Sequence, residues 1–166
     1  LLIYFVHHAA NGMRVSVVID RATSTTAALI RRRYPAGVDD PGDTEPPGWL
    51  ASIPAASVYA KRGGYLQLIN TDVLFDLAEE HNLTLRPTPA IGDFVLPGEQ
   101  LAAVWPDHAL DKEATRAIQD ALVLGMERTL QDDVAFGFQQ LSDMAARALS
   151  PGINDPTTAI TCIDHL

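Results

Sequence analysis

Residues 131–159 read QDDVAFGFQQLSDMAARALSPGINDPTTA: a helix, a corner and the start of a second helix. Val134, Phe138, Leu141, Ala145, Ala148 and Leu149 recur at steps of four, three, four, three and one, which lines them along one side of a helix of 3.6 residues per turn. That side is expected to face a core. Gln139, Gln140, Asp143 and Arg147 fall on other faces, and Asp143 precedes Arg147 by four residues, the favourable order for a helical ion pair worth ~0.2–0.5 kcal/mol. Pro151 cannot continue the helix, and it disfavours helical geometry at Ser150. Gly152 is the residue expected to take the positive φ of the helix exit. Asp155 followed by Pro156 has the chemistry of an N-cap and first helical position, since the carboxylate accepts orphan N–H bonds and proline has no N–H to leave unpaired. The next helix is expected over residues 157–166.

This run also resembles the signature of a bacterial family of predicted integral membrane proteins of unknown function, domain of unknown function 2254. The match to its ALSP-x-x-NDP-x-TA segment spans residues 148–159. Two further segments fit the resemblance, GGYLQLINTDVLFDLA at 63–78 and GDFVLPGEQLAAVW at 92–105. The resemblance implies a few N-terminal membrane helices followed by a soluble C-terminal region, and it supplies no established activity. The membrane helices are almost wholly missing from the present residues.

The 166 residues with 47% hydrophobic content suffice for one domain with a sizeable core. The net charge of −9 argues against general nucleic-acid binding, and it is unevenly placed. Residues 1–35 hold five arginines (Arg14, Arg21, Arg31, Arg32, Arg33) against Asp20, a balance of +4 that leaves −13 for the rest. A basic segment after the apolar opening Leu1, Leu2, Ile3, Tyr4, Phe5 and Val6 has the character of a cytoplasmic juxtamembrane region of an inner-membrane protein. Six apolar residues cannot cross a bilayer, which needs about 20 in a helix, but they suit the end of a span. Residues 1–35 are therefore read as a stalk, mostly one helix to residue 33, with Thr23, Ser24, Thr25 and Thr26 as its weakest part. Residues 36–54 are rich in proline, glycine and aspartate and are read as a linker whose far end Trp49 and Leu50 pin. Residues 55–166 are read as one compact domain.

That body opens with strands. Residues 57–62 and 65–69 flank Gly63-Gly64, a two-residue hairpin signal. Thr71 is expected to cap a helix to about residue 80 with Val73, Leu74, Leu77 and Ala78 facing inward. A short strand follows at 83–86. Residues 92–105 place two strands around Pro97-Gly98, and they resemble the hairpin of biotinyl and lipoyl domains and other barrel-sandwich hybrids. Lys61 lacks the setting of a cofactor-bearing lysine, so no covalent cofactor is expected. A helix is expected over 111–124, ended by Gly125, and a strand over 126–130. The fold class is thus α+β: a small barrel-like β unit packed with the stalk helix and the C-terminal helices.

Chemistry is sparse. His7, His8, His81, His108, His165 and Cys162 form no recognised metal-ligand motif, and Cys162 with His165, three apart on a helix, would supply only two ligands. A single cysteine excludes an intrachain disulfide and suits a reducing compartment. No metal and no cofactor is expected. Ser150 is the candidate nucleophile, standing at a tight corner before backbone N–H groups able to stabilise an oxyanion. Asp132, Asp133, Asp143 and Asp155, with Glu127, are the candidate carboxylates for a divalent ion or acid/base pair. Capping explains Asp133 and Asp155 without either. Gln131, Asp133, Gln140, Asp143, Ser150, Asn154, Asp155 and Thr157 are accordingly the signature positions, either touching a ligand or shaping the backbone. Three functions follow. The first is a cytoplasmic domain for assembly, sensing or gating in a channel- or transporter-like homo-oligomer; the others are a membrane-tethered hydrolase at the corner and a small-ligand-binding module.

Overall fold

The computed structural model describes the backbone of residues 2–35, 48, 52–107 and 110–166, with side chains from Val15 onward within those ranges. Most of the expected linker, including Trp49 and Leu50, lies outside the described residues, as do His108 and the side chains of Leu1–Val6, His7 and His8. By contact the chain separates into two units, Leu1–Val38 with Asp133–Leu166, and Asp39–Asp132. These limits differ from the stalk and body drawn from composition, because the helices after residue 132 group with the N-terminal helix.

Among its described residues the unit Asp39–Asp132 contains six strands, β1 (Ala56–Tyr59), β2 (Gly64–Ile69), β3 (Thr84–Pro87), β4 (Phe94–Val95), β5 (Gln100–Trp105) and β6 (Leu122–Gly125), with helices α2 (Thr71–His81) and α3 (Lys112–Ala121). They make two antiparallel sheets, ordered β1-β5-β3 and β4-β2-β6. Neither glycine turn closes the hairpin expected of it. Gly63-Gly64 carries the chain from one sheet into the other, and Pro97-Gly98 carries it back. The turn residues specify where the backbone reverses, while burial decides which strands pair. Val58, Leu101 and Val104 from the first sheet meet Leu66, Val95 and Leu124 from the second in one core. The unit is mixed helix and sheet as expected, but the described strands form two three-stranded sheets and no closed barrel.

Pro97 and Gly98 still make the turn their chemistry favours. Glu99 N–H donates to the Leu96 carbonyl at 3.1 Å, and Gly98 holds φ +84°, as the third position of a type II turn requires. The second misreading lies at 122–125. The helix ends at Ala121, and Leu122–Gly125 form a strand on β2 in place of the strand expected at 126–130. Leu122 and Leu124 alternate into the core there, so tertiary pairing overrides a helical pattern. Helix α2 is capped by Asn70, whose side chain accepts from Val73 N–H at 3.4 Å, in place of the expected Thr71. Its buried residues are Leu74 and Leu77, and Val73 faces out.

The other unit joins α1 (Leu2–Arg33), α4 (Val134–Ala148) and α5 (Pro156–Asp164). Helix α1 is continuous, as expected. Its Ile19 and Ala22 pack in one cluster with Leu141, Ala145 and Ala148 of α4 and Ala159 and Cys162 of α5. Most of these side chains are small, which lets helix axes approach closely. Thr26 lies against Gly137, where a Cβ built on the glycine would fall inside the threonine side chain. Thr26, expected among the weakest part of the helix, is buried, and its hydroxyl donates to the Ala22 carbonyl at 2.7 Å. Phe138, expected inward, is 37% exposed, and Leu149 turns out as well. The inward position belongs to Gly137, which a search by hydrophobic size passes over.

Candidate functional site

The corner between α4 and α5 is built almost entirely from backbone hydrogen bonds. Helix α4 ends with Leu149 N–H donating to the Ala145 carbonyl and Ser150 N–H to the Arg147 carbonyl, both at 3.1 Å. The Ser150 carbonyl then accepts from Ile153 N–H at 3.0 Å and Asn154 N–H at 2.8 Å. Asp155 N–H returns to the Ala148 carbonyl at 2.8 Å, which ties the start of α5 to the last residue of α4. The reversal takes its positive φ at Asn154, 46°, and not at the expected Gly152. Asparagine tolerates the left-handed region because its short polar side chain can bond locally, so a glycine is not needed.

Asp155 caps α5. One carboxylate oxygen accepts from Thr158 N–H at 3.2 Å and the other from the Thr158 hydroxyl at 2.7 Å, with Pro156 at the first helical position. Asp133 caps α4, accepting from Phe136 N–H at 2.8 Å, and it is only 4% exposed. Each cap is worth about 1 kcal/mol of helix stability. Asp133 and Asp155 stand at opposite ends of a 15-residue helix, about 22 Å long at 1.5 Å per residue, so they cannot share one ion or one proton. Asp143 is exposed part-way along α4, Gln140 is half-buried there, and Gln131, Asn154 and Thr157 are exposed. Asp132 belongs to the other unit. Ser150, Asn154, Asp155 and Thr157 are thus brought together by the turn, and Asp133 and Asp143 are not. The N–H groups of Ile153, Asn154 and Asp155 run to the Ser150 and Ala148 carbonyls, and the Asp155 carboxylate caps α5.

Cys162 and His165 part company on α5. Cys162 is fully buried, and burial pushes its thiol up, toward the neutral form. The His165 Nδ1 lies 2.7 Å from the Thr161 carbonyl, which can only accept, so this nitrogen carries the proton. Its Nε2 is 3.9 Å from Asp20 on α1. Among the described residues no three His, Cys, Asp or Glu side chains gather closely enough to hold a metal ion. What the sequence pattern did not reveal is the Thr26–Gly137 contact; its signal was a glycine inside an otherwise helical run, which marks a close approach when it is not a break.

Residues 1–166 match the family described as "Predicted membrane protein (DUF2254)". The chain belongs to that family. The resemblance carried by the 148–159 segment is therefore borne out over the whole chain. The uncharacterized proteins Mb1321c of Mycobacterium bovis and Rv1290c of Mycobacterium tuberculosis are each 34% identical over 175 residues, covering 99% of this chain and 32% of the relative. The uncharacterized protein MT1328 of a second M. tuberculosis strain is 33% identical over the same span. The chain spans about a third of the length of these relatives. No solved structure matches it. This DUF2254 chain is thus a predicted membrane protein of unknown function, and no helix among its described residues is long and apolar enough to cross a membrane.

Proposed function

We propose that these residues form the water-facing, cytoplasmic part of a bacterial inner-membrane protein, serving assembly, sensing or gating in a channel- or transporter-like oligomer. The carrying observation is the pairing of a membrane-protein family match over all 166 residues with the lack of any membrane-crossing helix among the described ones. Relatives about three times as long leave room for the spans elsewhere in the parent.

Helix α1 supplies the connection. Its apolar start lies on the bilayer side, and from Val15 onward it contributes to the three-helix core. At 1.5 Å per residue, about 38 Å separate Val6 from Arg31 along the helix. That is several times the ~8 Å Debye length, so with α1 upright Arg31, Arg32 and Arg33 lie beyond the reach of the headgroups. Arg14 stands about 12 Å past Val6 along the helix. Arg14 and Arg21 then favour the cytoplasmic side. Motion of the membrane part would be passed along α1 into the small-residue contacts with α4 and α5.

The test uses the full-length parent in bacterial membranes. Protease added to inside-out vesicles is expected to cut within residues 1–166, while intact spheroplasts protect them. Cutting only from the outer side would overturn the cytoplasmic placement. In proteoliposomes, solute flux and oligomer assembly that are the same with and without residues 1–166 would overturn the assembly and gating role.

A further inference from the structure

The helices of the first unit have directions that fix which end carries the corner. Thr26 of α1 lies against Gly137 near the start of α4, whereas Ile19 and Ala22, with the half-buried Val15, pack in the cluster that holds Leu141, Ala145 and Ala148. Moving toward the N-terminus of α1 is thus moving toward the C-terminus of α4, and the two helices are antiparallel. The steps from Thr26 back to Val15 and from Gly137 on to Ala148 are equal, about 16 Å each, so Val15 is level with the last residue of α4. Helix α5 runs back from there, since its far end brings His165 to within 3.9 Å of Asp20. The corner therefore closes the end of the unit from which the backbone of α1 continues, about 20 Å further, through residues 14 to 2.

That end has an apolar tip. Leu149 and Ile153 are each 55% exposed, Pro151 and Gly152 are exposed between them, and residues 148–154 carry no charge. A Cβ built on Gly152 would have no atom within 4 Å, so the turn stands clear of its own fold. The charges nearby are sorted by sign. Arg147 is exposed in the last turn of α4, and the Asp155 carboxylate is turned onto Thr158. Asp143, Asp20 and Asp164 all stand farther from the tip along their helices. An uncharged turn with an arginine at its shoulder suits a bilayer interface, where aliphatic side chains settle among headgroups and a cation meets lipid phosphate. In the membrane placement proposed for the parent, α1 leaves the bilayer near Val6, and Val15 follows about 14 Å later. The headgroup layer takes up about 5–8 Å of that, which leaves about 6–9 Å for a corner one helical turn deep and its side chains. We propose that the corner of Leu149, Pro151 and Ile153, with Arg147 beside it, rests on the headgroup layer of the bilayer that holds the parent. The proposal rests on that membrane placement and adds a second attachment to the one α1 provides. Two attachments fix the tilt of the three-helix unit against the membrane, which one helix cannot do.

The test reads the depth of single fluorescent probes in the full-length parent, reconstituted in vesicles of phosphatidylcholine and phosphatidylglycerol. Cysteines other than the buried Cys162 are replaced by alanine. A fluorophore is attached in turn at Ile3→Cys in the apolar start, at Gly152→Cys in the corner, and at Ile163→Cys. Ile163 is 57% exposed, as open as the corner, but about 10 Å down α5 from Pro156. Quenching by a nitroxide carried on the lipid headgroup is expected at Ile3 and at Gly152, and about twofold or more stronger at Gly152 than at Ile163. Leu149→Asp with Ile153→Asp should lower the Gly152 signal to the Ile163 level and leave the Ile3 signal unchanged. Quenching at Ile3 with no excess at Gly152 over Ile163 overturns the proposal and leaves the membrane placement standing. Loss of quenching at all three positions overturns both. A Gly152 signal that survives the aspartate replacements overturns the proposal as well. So does a Gly152 probe shielded from lipid nitroxide and aqueous iodide alike, the mark of another protein segment or a second copy over the corner.

Discussion

Thr26 packs against Gly137, and glycine is required at 137 by its neighbour's bulk. In an isolated helix Gly→Ala would gain about 1 kcal/mol. Here the added Cβ meets all of a threonine whose β-branch leaves it little rotamer freedom. Gly137→Ala is therefore expected to destabilise by about 1–3 kcal/mol, the usual cost of overpacking. Thermal melts check it, and Thr26→Ala in the same chain should restore part of the loss. Cys162 gives a pH-dependent counterpart. Its folded-state pKa is raised by burial, so as pH climbs past the ordinary thiol range the unfolded chain sheds a proton that the folded chain retains. Stability is unaffected by this group below that range and falls as the pH rises through it. Denaturation midpoints measured across mildly to strongly alkaline pH should show a fall that Cys162→Ala, offset by its own constant loss, lacks.

Sheet pairing places its own demand on glycine at the junction of β2 and β6. A Cβ on Gly64 would sit 2.7 Å from the Gly125 carbonyl oxygen, a backbone atom that cannot swing away. Gly64→Ala is expected to destabilise the sheet unit by roughly 1–3 kcal/mol, read from a urea midpoint, and no change there would mean that β2 and β6 do not pair in the observed register. The sequence showed Gly63-Gly64 as a reversal but not its outcome, because a turn signal is local and strand partnership is set by core faces far apart in the chain. The same limit hid β6: Leu122, Val123 and Leu124 suit a buried helix end as well as a buried strand, and only β2 decides between them. Helix ends were far more readable. Asp133 and Asp155 cap as their residue types predict, since the interaction lies within four residues, and Asp111, expected inside its helix, caps it as well. Asn70 displaced Thr71 by one position, within the ordinary ambiguity of a run of capping residues. At the candidate site, the Ser-Pro-Gly corner and the Asp-Pro start were evident from local chemistry, whereas the positive φ fell to Asn154, because hydrogen bonds to the Ser150 carbonyl, not glycine content, set the path.

Two hydrophobic clusters, each confined to its own unit, suggest that the chain unfolds in parts. The helical unit is assembled from the first and last segments of the sequence, so it exists only while α1 remains docked on α4 and α5. The sheet unit, Asp39–Asp132, is one continuous segment between them. Separate cores make separate cooperative units, each opening at its own free energy. Amide hydrogen exchange followed by mass spectrometry resolves them. Gly137→Ala is expected to speed exchange in the protected amides of α1, α4 and α5 while leaving those of β2 and β5 nearly unchanged, and Gly64→Ala to do the reverse. Since the two substitutions act in different cores, their effects on stability should add within about 0.5 kcal/mol in the double variant. If either substitution alone speeds exchange equally everywhere, the protein unfolds as a single cooperative body despite its two cores. A discontinuous helical unit around a continuous insert also predicts which lesion travels farther: loosening α1 separates the chain's two ends, whereas loosening a sheet leaves the three helices holding one another.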